Sequence, residues 1–202
     1  MKVIAESAFN HQGKIEYLFD LARESKLSGA DYFTVQIYCT EEFCDVNYSK
    51  FDICKEAEIS KKEWISLFKY CKELDLEVVP CILDDFSFEL ILDYNFSLIK
   101  VHATDLLNIG LLKRIRDEYS GKVLLETQCA TVRDINVAVD ILGSHIEAIF
   151  HGFSNYPTDY EDLNMNSLNF IKDKWKIKVG FADHSLDNTE VPLIALGMGV
   201  DY

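Results

Sequence analysis

The stretch Ile146-Glu147-Ala148-Ile149-Phe150-His151 decides how this chain is read. It is a short apolar run, rich in branched and aromatic side chains, that stops on a histidine. Such a run predicts a buried strand whose last residue faces a polar loop. A second run, Val179-Gly180-Phe181-Ala182-Asp183, ends the same way and is followed by His184. In a barrel of repeated strand–helix units, strand ends of this kind meet at one rim, where active sites are built. Two imidazoles at that rim suit a divalent metal ion.

Working outward, the rest of the chain alternates in the same way. Residues 2–6 read as a strand. Residues 14–28 place Ile15, Leu18, Phe19 and Ala22 on one helical face, and Gly29 stops the helix. Tyr32 to Tyr38 is a second strand. The segment 39–59 is polar, bears cysteines, and is long enough to be functional in its own right. Ser60-x-x-Glu63 is a capping box, followed by a buried stripe of Trp64, Leu67, Phe68 and Cys71. Strands follow at 77–83, 98–102, 122–127 and 177–181. Helices are expected at 86–93, 105–118 (capped by Thr104 or Asp105), 132–142, 165–174 and 188–197. Asp84-Asp85 reads as a solvated loop or a helix cap, with a cation site as the alternative. Val200-Asp201-Tyr202 reads as the opening of an eighth strand.

This alternation predicts a parallel sheet covered by helices. The count favours a single-domain α/β chain, 1–202, of the TIM (β/α)8 barrel type over a doubly wound sheet. No Gly-x-Gly-x-x-Gly follows the first strand, which argues against a dinucleotide site. A barrel joins its last strand to its first, so an eighth strand that barely begins suggests a fragment, or a barrel closed by something else.

Composition narrows the partners. The chain has 202 residues, 49% of them hydrophobic, enough for a full core. A net charge of -14 argues against nucleic acid or an anionic membrane as partner. Any anionic substrate then needs a local positive site. The six cysteines form no Cys-x-x-Cys pair and read as reduced thiols of a cytoplasmic protein. Cys39, Cys44 and Cys54 are spaced poorly for zinc. The N-terminus begins a strand, not a signal peptide, and no apolar run approaches the ~20 residues of a membrane span.

The residues at the strand ends carry the chemistry. They are Glu6 with Asn10-His11-Gln12-Gly13, then Thr34-Val35-Gln36, Lys100 with Ala103-Thr104-Asp105, Glu126-Thr127-Gln128, His151 with Tyr156-Pro157-Thr158 and Asn164, and Gly180 to Ser185. This set resembles the sialic acid synthase family, the N-acetylneuraminate synthases and their legionaminate and pseudaminate relatives. Glu6 to Gly13 resemble its opening Glu-Ile-Gly-x-Asn-His-x-Gly motif. His151, Tyr156, Pro157, Thr158 and Asn164 resemble its His-Cys-x-x-x-Tyr-Pro-Thr-Pro and Asn-Leu motifs. Gly180 to Ser185 resemble Gly-Tyr-Ser-Asp-His-Thr.

The resemblance implies condensation of phosphoenolpyruvate with an N-acyl hexosamine, such as N-acetylmannosamine, in surface-glycan biosynthesis. It implies a homodimer, and a C-terminal antifreeze-like domain that these residues do not contain. It makes His151 and His184 ligands of Mn2+ or Mg2+, and Glu6 and Asp105 candidates for proton handling. Lys100 becomes a contact to the phosphoenolpyruvate anion. Asn10, Gln36, Tyr156 and Asp183 become substrate-binding residues, and Glu126, a departure from the family motif at the end of its strand, is taken as a further one. From the residues alone, Lys100 is equally suited to a salt bridge with Asp105 or Glu126, His11 to shaping the Asn10–Gly13 turn, and His145 to the surface.

The departures fall on phosphate contacts. Thr34 stands where the family usually has a lysine, Ala103 where it has a serine, Cys81-Ile82 where it has Ser-Thr, and Glu126-Thr127-Gln128 where it has Ser-Thr-Gly. One lost charge-assisted hydrogen bond weakens anion binding by about tenfold to a hundredfold. A non-catalytic sugar- or partner-binding barrel, or a different metal-dependent aldolase or isomerase, would follow from the same departures.

Overall fold

The computed structural model describes residues 1–186 and 189–202. The chain divides into two compact units, residues 2–100 and residues 101–202 together with Met1. Both are built from parallel strands alternating with helices.

The first unit runs β1 (Ile4–Glu6), α1 (Ile15–Leu27), β2 (Tyr32–Ile37), α2 (Thr40–Phe43), α3 (Phe51–Ala57), α4 (Lys61–Glu73), β3 (Glu77–Ile82), α5 (Asp85–Tyr94) and β4 (Leu98–Val101), whose last residue crosses the boundary. Its strands lie in chain order. The parallel register sets Glu6 against Thr34, and Gln36 against Cys81. Gln36 therefore follows Thr34 on the same face of β2 and projects at the strand end that carries Glu6. Leu18 and Ala22 of α1, Phe33, Val35 and Ile37 of β2, and Trp64, Leu67 and Cys71 of α4 share one buried cluster. Ser60 and Glu63 form the expected capping box, and Asp84 caps α5 through Ser87. The segment 39–59 is more ordered than its polarity suggested, since it carries the short helices α2 and α3. A side chain at Gly13, held at φ +73, would collide with the Glu56 carbonyl, so this glycine lets the turn after β1 pack against α3.

The second unit runs α6 (Ile109–Glu118), β5 (Lys122–Glu126), α7 (Val132–Leu142), β6 (Ile146–Gly152), α8 (Asn166–Trp175), β7 (Lys178–Ala182) and α9 (Glu190–Gly197). β6 is covered on both faces, so its apolar residues form a near-continuous run. The register pairs Phe150 with Gly180 and His151 with Phe181. The Phe150 ring lies over the bare Cα of Gly180, where any Cβ would overlap it. The tail runs beside β7: the Asp201 N–H donates to the Val179 carbonyl at 2.8 Å, and the Phe181 N–H to that of Tyr202 at 3.2 Å.

Most boundaries shift by one or two residues, and one shifts further. The helix expected at 105–118 begins only at Ile109, capped by Asn108, because residues 103–105 form a separate 3₁₀ turn capped by His102. The expected start of the last helix, residue 188, lies outside the described residues, and α9 begins at Glu190.

Substituting Gly180→Ala forces the Phe150 ring off its seat, and urea denaturation should show a loss of about 1–3 kcal/mol. Gly197→Ala at the end of α9, where the added methyl meets no atom within 4 Å, should be neutral or stabilising by up to about 1 kcal/mol in the same assay.

Candidate active site

In the first unit, the ends of β1, β2 and β4 bring three predicted residues together. Lys100 Nζ donates to Glu6 Oε2 at 2.7 Å, and Gln36 Nε2 donates to Glu6 Oε1 at 3.0 Å. The lysine side chain is only 4% exposed, whereas Glu6 is 38% exposed. A buried ammonium is thus held by a carboxylate that itself reaches solvent. Burying such a charge is costly unless it is paired and hydrogen-bonded. Asn10 is not part of this set: it lies exposed in the turn after β1, where its N–H donates to the Ser7 carbonyl at 3.1 Å. His11 does shape that turn. Its Nδ1 accepts the Gly13 N–H at 3.2 Å, and burial pushes its pKa down.

In the second unit, the ends of β6 and β7 fix two imidazoles. His151 Nε2 lies 2.8 Å from the Leu163 carbonyl, and His184 Nδ1 lies 2.7 Å from the Phe153 carbonyl. A carbonyl only accepts, so each contact assigns the ring proton to that nitrogen. The remaining nitrogens, Nδ1 of His151 and Nε2 of His184, keep their lone pairs. Metal-ligating histidines are oriented by this kind of contact. Burial also pushes the His151 pKa down, with the Leu163 carbonyl opposing, which favours the neutral, ligating form.

Tyr156 packs on His184 with ring centroids 4.4 Å apart, its hydroxyl 3.4 Å from Nε2. The loop bearing it is tied back by the Thr158 N–H, which donates to the His184 carbonyl at 2.9 Å. Asp183 is exposed, and its Oδ1 accepts the Ser185 N–H at 2.9 Å. Among the described residues, no third His, Cys, Asp or Glu closes a three-donor group with these histidines.

Asp105 accepts from Thr104 Oγ1 at 3.2 Å and from Asn108 Nδ2 at 3.1 Å. Glu126, 7% exposed, faces His102 Nε2 across 3.8 Å. His102 and the carbonyls of Phe153 and Leu163 are the features that sequence reasoning missed. His102 is visible in the sequence next to the end of β4, but backbone acceptors leave no residue signature. A three-donor group does occur in the first unit, but it consists of Cys39, Glu41 and Glu58, with Lys55 bonded to both glutamates, and not of the three cysteines.

Comparison with known proteins matches residues 21–202 to the NeuB family. The chain belongs to that family. It is 30% identical over 203 residues to an uncharacterized protein of Methanocaldococcus jannaschii, covering 98% of this chain and 59% of that one. It is 23% identical to the N,N'-diacetyllegionaminic acid synthase of Legionella pneumophila, covering 98% of this chain and 61% of the relative. Among solved structures, the N-acetylneuraminic acid synthetase of Leptospira borgpetersenii superposes with a TM-score of 0.92 at 26% identity, over 98% of this chain and 70% of that one. The chain thus spans about three-fifths of the length of these curated relatives. The family resemblance read from the strand-end motifs is borne out. None of the helices described is long and apolar enough to cross a membrane.

Because the pKa values of His11 and His151 are lowered in the folded state, the unfolded chain takes up protons first on acidification. Their contribution to stability is whole above the ordinary histidine value of 6.5 and is lost as pH falls below it. Urea midpoints should therefore drop between pH 7.5 and 5.5, and His151→Gln should flatten that part of the profile.

Proposed function

We propose that this chain is the catalytic part of a nonulosonic acid synthase. It would join phosphoenolpyruvate to an N-acyl hexosamine, N-acetylmannosamine or a relative, in cytoplasmic synthesis of a surface glycan. Family membership supports the reaction class. The observation that carries the reading is the pair of histidines at successive strand ends, each with one ring proton committed to a backbone carbonyl. His151 Nδ1 and His184 Nε2 would be the ligands of a divalent ion, each ring oriented by its carbonyl contact, and the resemblance makes that ion Mn2+ or Mg2+. A bound ion would supply Lewis-acid polarisation of the sugar's aldehyde oxygen.

The chain's own groups do the rest. Lys100 supplies positive charge for the phosphoenolpyruvate anion in a protein whose net charge opposes it. Glu6 holds that ammonium, and its exposed carboxylate handles a proton or a sugar hydroxyl, with Gln36 fixing its second oxygen. Asp105, held by Thr104 and Asn108, is a second proton-handling group. Glu126, Tyr156, Asp183 and Asn10 contact substrate. We place these strand ends on an eight-stranded barrel, with Val200–Tyr202 opening its last strand, and expect a homodimer.

The test is phosphate release from phosphoenolpyruvate with N-acetylmannosamine and Mn2+. We expect release above the metal-free blank, lost with chelator and in His151→Ala and His184→Ala. No release above the blank contradicts the reading. Thr34→Lys should raise kcat/KM for phosphoenolpyruvate by about tenfold, the return of a charged hydrogen bond. A wild type and a Thr34→Lys variant that both stay silent favour the second reading, a sugar-binding barrel that has lost its phosphate contacts, for which Thr34 and Ala103 speak. Turnover of a sugar without phosphoenolpyruvate would point to an aldolase or isomerase.

A further inference from the structure

His102 and Glu126 stand one at the end of β4 and one at the end of β5, and the resembled motifs do not account for the pair. Glu126 is the carboxylate found where those motifs carry a serine. Its side chain is 7% exposed and its Oε2 lies 3.8 Å from His102 Nε2, while His102 is 29% exposed. On the other side of the ring, Nδ1 accepts the Thr104 N–H at 3.3 Å and lies 2.9 Å from Thr104 Oγ1. An N–H donating to Nδ1 leaves the ring proton on Nε2, the nitrogen that faces Glu126. The order is therefore buried carboxylate, imidazole, hydroxyl, with Thr104 exposed to solvent. An imidazole between an orienting carboxylate and a hydroxyl is the arrangement by which hydroxyl groups and water are activated. The Thr104 hydroxyl has two acceptors, His102 Nδ1 and, at 3.2 Å, Asp105 Oδ2, so it links the ring to the second proton-handling group.

We propose that His102 is the base for the water that adds to the substrate, acting through the Thr104 hydroxyl and supported by the charge of Glu126. This rests on the synthase reading above. In the step, the C=C electron pair of phosphoenolpyruvate has formed the bond from its methylene carbon to the sugar's carbonyl carbon, and a lone pair of the water oxygen forms the C–O bond at the electron-deficient, phosphate-bearing carbon. The water's O–H bond breaks, and its proton passes to Thr104 Oγ1 as the threonine's own proton moves to His102 Nδ1. The resulting imidazolium is stabilised by the Glu126 carboxylate, and in the collapse that follows phosphate leaves with the C–O electron pair and takes the remaining proton of the new hydroxyl, whose O–H pair forms the ketone.

The competing role for His102 is to cap the 3₁₀ turn at residues 103–105. His102→Asn separates the two, because asparagine is a good cap for the Thr104 N–H but a poor base. We expect kcat to fall about a hundredfold or more, the scale of a lost general base, with the thermal midpoint unchanged. His102→Gly should regain rate in added imidazole, and Glu126→Gln should lose about tenfold in kcat. If His102→Asn is too unstable to assay, Thr104→Val carries the same test, with the same loss expected, and Thr104→Ser should retain activity. His102→Asn turning over within threefold of wild type overturns the proposal, as does a His102→Gly variant that imidazole leaves silent. A wild type that releases no phosphate from phosphoenolpyruvate with any N-acyl hexosamine brings down the synthase reading and this base together. An active wild type with an active His102→Asn brings down the base alone.

Discussion

Two backbone carbonyls fix the tautomers of the two histidines at the ends of β6 and β7. Phe153 and Leu163 each take a ring proton from a histidine, which puts the lone pair on His151 Nδ1 and on His184 Nε2, the latter 3.4 Å from the Tyr156 hydroxyl. Without them, either ring could present an N–H where a ligating nitrogen is wanted. Both acceptors lie in the loop between β6 and α8, whose position depends on the parallel pairing of β6 with β7. That pairing in turn depends on Gly180 giving the Phe150 ring a place to lie. Packing in the sheet and proton placement at its edge are thus one problem for the fold.

The first unit solves a similar problem with charge. Lys100 is buried at the end of β4 and would be costly alone. Glu6 answers it from the end of β1, and Gln36 steadies the other oxygen of the same carboxylate. Departures from the family motifs gain meaning in this light. Thr34 stands beside β1 where the resembled motif has a lysine, and Glu126, at the end of β5, faces His102 at 3.8 Å.

Much of this was legible in the sequence. The parallel alternation follows from apolar runs of strand length separated by amphipathic helices, and the two histidines announce themselves by ending such runs. The capping box at Ser60 and the cap at Asp84 were legible because a side chain at fixed spacing makes them. The start of α6 was not, since Thr104, Asp105 and Asn108 are all competent caps and only the fold decides that His102 and Asn108 do the capping. The helices within 39–59 were hidden because short segments carry little periodicity. The pairing of Glu6 with Lys100 spans 94 positions, and a partner so far along the chain leaves no local pattern to read.

The claim on which the account stands is that both histidines ligate one ion through the nitrogens their carbonyl contacts leave free. Electron spin-echo spectroscopy of the Mn2+-loaded protein, with the imidazoles labelled with 15N, reads this directly. The account predicts nitrogen couplings from two imidazoles, with one set lost in each of His151→Ala and His184→Ala. A spectrum of Mn2+ surrounded by oxygen alone, unchanged in both variants, would contradict it.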